Sequence, residues 1–115
     1  MEANIRYRDK VVIVDLKGKL VWGRERLVLK ETIDQLVEED RRDILLNLSE
    51  VKYMDSSGIG ELVSSYRAVQ RAGGRLKIVH LSNKVYTTLT IMRLLPIFEV
   101  FSDEEQAIKS FSADA

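Results

Sequence analysis

Two hydrophobic periods alternate along this chain. Residues 11–16, Val11-Val12-Ile13-Val14-Asp15-Leu16, form a β-branched run, and residues 44–48 are nearly continuous in apolar side chains. Such runs suit strands covered on both faces. Residues 76–80 and 97–101 read as two further strands. Between them the spacing changes to three and four. Leu29, Ile33, Leu36 and Val37 mark a helix over 24–40, with Lys30, Glu31, Asp34, Glu38 and Glu39 on its wet face. Ile59, Leu62, Val63, Tyr66 and Val69 mark a second helix over 58–72. Val85, Leu89 and Met92 mark a third, and Ala107, Ile108 and Phe111 a last one. Residues 5–7 add a short first strand, joined to the second by the polar turn Arg8-Asp9-Lys10 as an antiparallel hairpin. The second strand stops at Lys17-Gly18, and residues 19–24 form an apolar loop.

The order is β-β-α-β-α-β-α-β-α. It predicts one α/β domain over residues 1–115, with a mostly parallel sheet of about five strands, four helices and right-handed crossovers. The pattern does not say which helix covers which face. Punctuation agrees with the elements. Gly73-Gly74 supplies a left-handed stop, Ser82 or Asn83 caps the third helix, and Pro96 bars its continuation. Ser102-Asp103-Glu104-Glu105 reads as a capping box. Acidic residues crowd the end of the first helix, against its dipole, so that helix depends on packing.

Composition narrows the function. Eighteen basic and eighteen acidic residues cancel, which argues against a direct nucleic-acid surface. There is no cysteine, hence no disulfide framework and no thiolate metal site. His80 is the only histidine. Met1-Glu2-Ala3-Asn4 lacks the features of a signal peptide, and no apolar run approaches the roughly 20 residues that span a bilayer. A cytoplasmic protein without membrane contact is expected.

The chemistry concentrates in residues 44–66: a buried strand, a connecting loop and a helix whose first turn carries Asp55-Ser56-Ser57-Gly58. Backbone N–H groups there lack intrahelical partners and carry partial positive charge. A serine caps such an end, and a phosphoserine matches it better still. On pattern alone, capping without regulation suffices. Gly58 and Gly60 each cost about 1 kcal/mol relative to alanine within a helix. They leave the first turn open to another protein's backbone or a nucleotide phosphate. The rival class is a small serine hydrolase, with Ser56 and His80 on one edge of the sheet. The G-x-S-x-G elbow is absent, however. Gly58-Ile59-Gly60 lacks the third glycine of a dinucleotide fingerprint and the lysine of a P-loop. No catalytic residue, cofactor or metal site is assigned.

Leu46-Asn47-Leu48, Met54-Asp55-Ser56-Ser57-Gly58-Ile59-Gly60 and Gly73-Gly74 together resemble the STAS domain family, above all the bacterial anti-anti-sigma factors, or anti-sigma factor antagonists. The likeness runs from the Lys17-Gly18 turn to residues 98–108. It implies that Ser56, with Ser57 as runner-up, is phosphorylated by a partner anti-sigma factor that is a serine kinase. The unphosphorylated form would bind that partner and free a sigma factor, and a serine phosphatase would reset the switch. The implied contact surface is Asp55, Ser57, Gly58, Ile59 and Gly60, with Val21 and Trp22 on the neighbouring loop. Asp55 and Ser57 would also cap the helix.

One stretch departs from the family. Many relatives carry Gly-Glu-Leu-Asp after the second strand. Here Gly18-Lys19-Leu20-Val21 puts a lysine and a valine at the two acidic positions. A phosphorylation-independent STAS scaffold or accessory subunit therefore stays open. Trp22 is either a contact anchor or core. Met92-Arg93-Leu94-Leu95 is read as leucines closing the core with Arg93 outside, rather than an exposed groove. Arg67, Arg71 and Arg75 are read as a solvated face.

Overall fold

The computed structural model describes residues 1–113. Its elements are β1 (Glu2–Arg8), β2 (Val11–Leu20), α1 (Arg24–Glu38), β3 (Asp43–Met54), α2 (Ser56–Arg71), β4 (Arg75–Val79), α3 (Asn83–Ile91), a 3-10 turn (Leu95–Ile97), β5 (Val100–Phe101) and α4 (Glu104–Ala113). Strand order in the five-stranded sheet follows chain order, β1-β2-β3-β4-β5. β1 and β2 are antiparallel, and every other pairing is parallel.

That order settles the faces. Right-handed crossovers that always step the same way put their helices on one side. Val12, Val14, Leu16, Ile44, Leu46 and Ile78 accordingly pack with Leu29, Ile33 and Leu36 of α1, Ile59, Leu62 and Val69 of α2, and Val85 and Leu89 of α3. The alternate residues Val11, Ile13, Leu45 and Val79 pack with Ala107, Ile108 and Phe111 of α4. One helix thus covers the second face. Beside it a polar cluster ties three strands to α4. The Arg6 guanidinium reaches Asp15 at 2.6 Å and Glu104 at 2.8 Å, and Asn47 donates to Asp15 at 2.7 Å. Arg6 above all, against the opposing effect of burial, holds the Asp15 carboxyl below the usual carboxylate range.

Several expectations need correction. β1 begins at Glu2, and β2 does not stop at Lys17-Gly18 but runs on to Leu20. β3 extends through the expected loop to Met54. Asp15 pairs with Asn47 and Lys17 with Glu50, then Gly18 with Val51 and Lys19 with Tyr53. β3 therefore carries an extra residue at each of two bulges. Its buried residues become Leu48, Val51 and Met54, three apart rather than two. α2 starts at Ser56 rather than Gly58.

Met92 is not inward but the exposed C-cap that follows α3. The last strand keeps only two residues, because the 3-10 turn takes Ile97 and a bend at Phe98 follows it. The α4 cap is Asp103, whose Oδ2 accepts from the Gln106 N–H at 3.0 Å, rather than the Ser102–Glu105 box. Glu105 pairs with Arg8 instead. Arg67 and Arg71 are exposed, but Arg75 is half-buried against Asp43 at 3.1 Å. Leu94 and Leu95 pack on the core with Arg93 outside, as the sequence suggests.

Candidate functional site

Leu20 pairs with Met54, so β2 and β3 end side by side. The β2–α1 and β3–α2 connections therefore leave the sheet together at its C-terminal edge, where α/β proteins place their sites. Asp55 follows Met54 with extended backbone and caps α2, its Oδ1 accepting the Gly58 N–H at 2.8 Å. Its Oδ2 accepts the Trp22 N–H at 3.0 Å. Its own N–H donates to the Leu20 carbonyl at 3.3 Å. The Trp22 N–H first, and the Gly58 N–H next, hold the Asp55 carboxyl below the usual carboxylate range.

Ser56 and Ser57 are the first two residues of α2. Ser56 is exposed and Ser57 half-buried. Ser57 is therefore not a cap, contrary to expectation. Asp55 alone does that work, and both hydroxyls are left out of it. Ser57 lines a shallow pocket of about 380 Å³ with Trp22, Arg26, Gly60, Glu61 and Ser64.

The two glycines prove different. A Cβ on Gly58 would stand 1.8 Å from the Leu20 carbonyl oxygen, so this glycine lets α2 lie against the end of β2. Close approach there is internal, not to a partner. Gly60 is exposed, and a Cβ on it would meet nothing within 4 Å. Ile59 is a core residue at 3% exposure. Val21 is half-buried, and its carbonyl accepts the Arg26 N–H at 3.1 Å. Trp22 is 73% exposed, which removes it from the core.

Sequence reasoning missed two residues here. Glu61 is buried on α2, with Arg26 of α1 3.4 Å away. Ser65, one turn on, is buried, and among the described residues its hydroxyl has no partner. Both widen the buried stripe of α2 towards α1. The one sequence signal was an acid and a base on two helices whose contact the pattern could not register. His80 adopts a left-handed backbone (φ 62), and its N–H donates to the Phe101 carbonyl at 3.0 Å. Among the described residues it makes no hydrogen bond to either serine. Nor, among them, does any cluster of histidine, aspartate and glutamate suit a metal ion. No helix of the described residues is long and apolar enough to cross a membrane.

Known proteins share this fold. The STAS domain model matches residues 2–107. The anti-sigma-B factor antagonist of Bacillus subtilis (strain 168) is 32% identical over 110 residues, covering 95% of this chain and 98% of that one. The anti-sigma F factor antagonist of Paenibacillus polymyxa is 23% identical over 94% of this chain and 92% of its own length. Among solved structures, TM1081 of Thermotoga maritima superposes with a TM-score of 0.85 at 24% identity, over 96% of this chain and 94% of that one. The unphosphorylated anti-sigma factor antagonist SpoIIAA gives 0.81 at 21% identity, over 97% of each chain. With the family model spanning nearly its whole length, the chain belongs to the STAS domain family, and its named relatives there are anti-sigma factor antagonists.

Proposed function

We propose that this chain is an anti-sigma factor antagonist, a cytoplasmic binding module rather than an enzyme. With Ser56 unmodified it binds an anti-sigma factor through the start of α2 and so raises the supply of free sigma factor. The partner, acting as a serine kinase, phosphorylates Ser56 and is released, and a serine phosphatase restores the binding form. Asp55, Ser57, Gly60, Val21 and Trp22 surround the contact. Gly58 and Ile59 support it from inside the chain. The observation that carries the reading is that Asp55 caps α2, so the exposed Ser56 hydroxyl is committed to no structural role. The names of the relatives supply the partner class.

The physics favours repulsion at the interface. A phosphate adds nearly two negative charges beside Asp55. The helix N-terminus offsets at most about 2 kcal/mol of that cost. A dianion buried against a partner without a cation costs several kcal/mol, and each 1.4 kcal/mol is tenfold in affinity.

The test compares Ser56→Asp with Ser56→Ala against the purified anti-sigma factor of the same cells. Phosphopeptide mass spectrometry on the protein from those cells, in growth and in stress, accompanies it. The reading expects a phosphate on Ser56 whose occupancy changes, and binding lost only by the aspartate variant. The Lys19 and Val21 departures support a phosphorylation-independent scaffold as the second reading. Equal binding by both variants, with no phosphate, would favour it.

A further inference from the structure

Asp55 has two carboxylate oxygens, and the fold uses both. Oδ1 serves the helix by accepting from Gly58. Oδ2 serves no helix: it holds the Trp22 N–H, 33 positions away in sequence. With the Asp55 N–H on the Leu20 carbonyl and the Arg26 N–H on the Val21 carbonyl, residues 20–22 are held at three backbone points. The tryptophan among them is left 73% exposed. An aromatic ring fixed by its main chain and kept out of the core is the arrangement expected of an interface anchor. A loop already ordered before binding loses less entropy on burial.

We infer that Asp55 is a positioning residue, whose Oδ2 fixes Trp22 against the first turn of α2, beside Ser57, so that the partner meets the indole and the turn that carries Ser56 as one surface. The inference rests on the proposed role of the α2 start as the contact for an anti-sigma factor. It adds the chemistry of that contact: the partner offers an apolar cleft for an indole next to the site that admits Ser56. Ser57 and Gly60 share the wall of the pocket with Trp22, so the ring borders the same turn of α2. The lowered titration of the Asp55 carboxyl fits a carboxylate engaged by both N–H groups, and among the described residues no ion pair reaches it.

The chain has a single tryptophan, so its fluorescence reports residue 22 alone. Asp55→Ser keeps an oxygen for the Gly58 N–H, as serine is itself a good cap, but is too short and has too few acceptors to hold Trp22 as well. The expected result is a thermal midpoint within a few degrees of wild type, with tryptophan anisotropy clearly lower. In the wild-type protein the amide resonances of Trp22 and Gly58 should titrate together below the ordinary aspartate range.

Affinity for the anti-sigma factor used with the Ser56 variants should fall about tenfold or more in both Asp55→Ser and Trp22→Ala. The double variant should bind no worse than Trp22→Ala, because both changes remove one feature. Wild-type anisotropy and affinity in Asp55→Ser would overturn the inference and leave the proposed function standing. A wild-type chain that binds no anti-sigma factor would overturn the proposed function and the partner half of the inference. The two failures are distinguishable, since fluorescence and titration are measured without a partner.

Discussion

Two glycines one residue apart in a helical turn have opposite reasons to exist. Gly58 has no room for a side chain: the atom its Cβ would strike is a backbone oxygen of β2, which cannot rotate away. Gly60 faces open space and gives up helix propensity for nothing inside the molecule. Gly58→Ala should therefore cost about 3 kcal/mol or more, or prevent folding. Gly60→Ala should stabilise the free protein by up to about 1 kcal/mol. Urea unfolding of the two variants checks this, and equal effects would refute it. Such roles were only half legible. The motif marked the candidate turn, but a sequence does not show that the Leu20 carbonyl lies under Gly58. Nor does it show which of Asp55, Ser56 and Ser57 caps the helix. The aspartate does so because it alone stands in extended backbone before the first turn.

At the scale of elements, the helix stripes were legible and the ends were not. α2 closes with the Gly73 N–H on the Gln70 carbonyl and the Gly74 N–H on the Val69 carbonyl, with Gly73 at φ 83. This is the Schellman arrangement that glycine favours. α1 and α3 end the same way without glycine. Asp40 (φ 63) and Arg93 (φ 58) take the left-handed position, and the Arg41 and Leu94 N–H groups bond back to Leu36 and Leu89. Aspartate takes the left-handed region more readily than most side chains, but nothing in the identity of Arg93 announces it, since packing of the following Leu94 and Leu95 overrides the local preference. The strain leaves a trace to measure. Arg93 is exposed, and a left-handed residue with a side chain costs about 1–2 kcal/mol. Arg93→Gly should recover about 0.5–1 kcal/mol after the entropy of the freer unfolded chain is counted. A denaturant midpoint no higher than wild type would count against it. The strand errors have the same origin. The bulges in β3 turn alternation into a spacing of three, and the two-residue β5 is too short for a period.

Across the whole molecule, Ser56 stands apart from what holds the chain together. The core is two clusters on either side of the sheet, and the Arg6–Asp15–Glu104 cluster fastens α4 to the second face. Ser56 belongs to neither, sitting exposed at the strand ends where Leu20 and Met54 pair. A phosphate there adds charge outside the core. It leaves the capping oxygen of Asp55 in place and gains from the nearby helix N-terminus part of what it loses to Asp55. Stoichiometrically phosphorylated protein should thus unfold within about 0.5 kcal/mol of the unmodified form, the range for surface changes away from special contacts. Its amide resonances should move only around residues 20–22 and 53–60. Its affinity for the anti-sigma factor should nonetheless fall at least about a hundredfold, equivalent to about 2.7 kcal/mol, because only in the complex is the dianion taken out of water. Shifts spread through β1 to β5, or a large change in stability, would mean that the phosphate acts by refolding the sheet. Intact affinity at full occupancy would mean that the serine is not the switch. Localised shifts with lost binding would place the whole effect at the proposed contact.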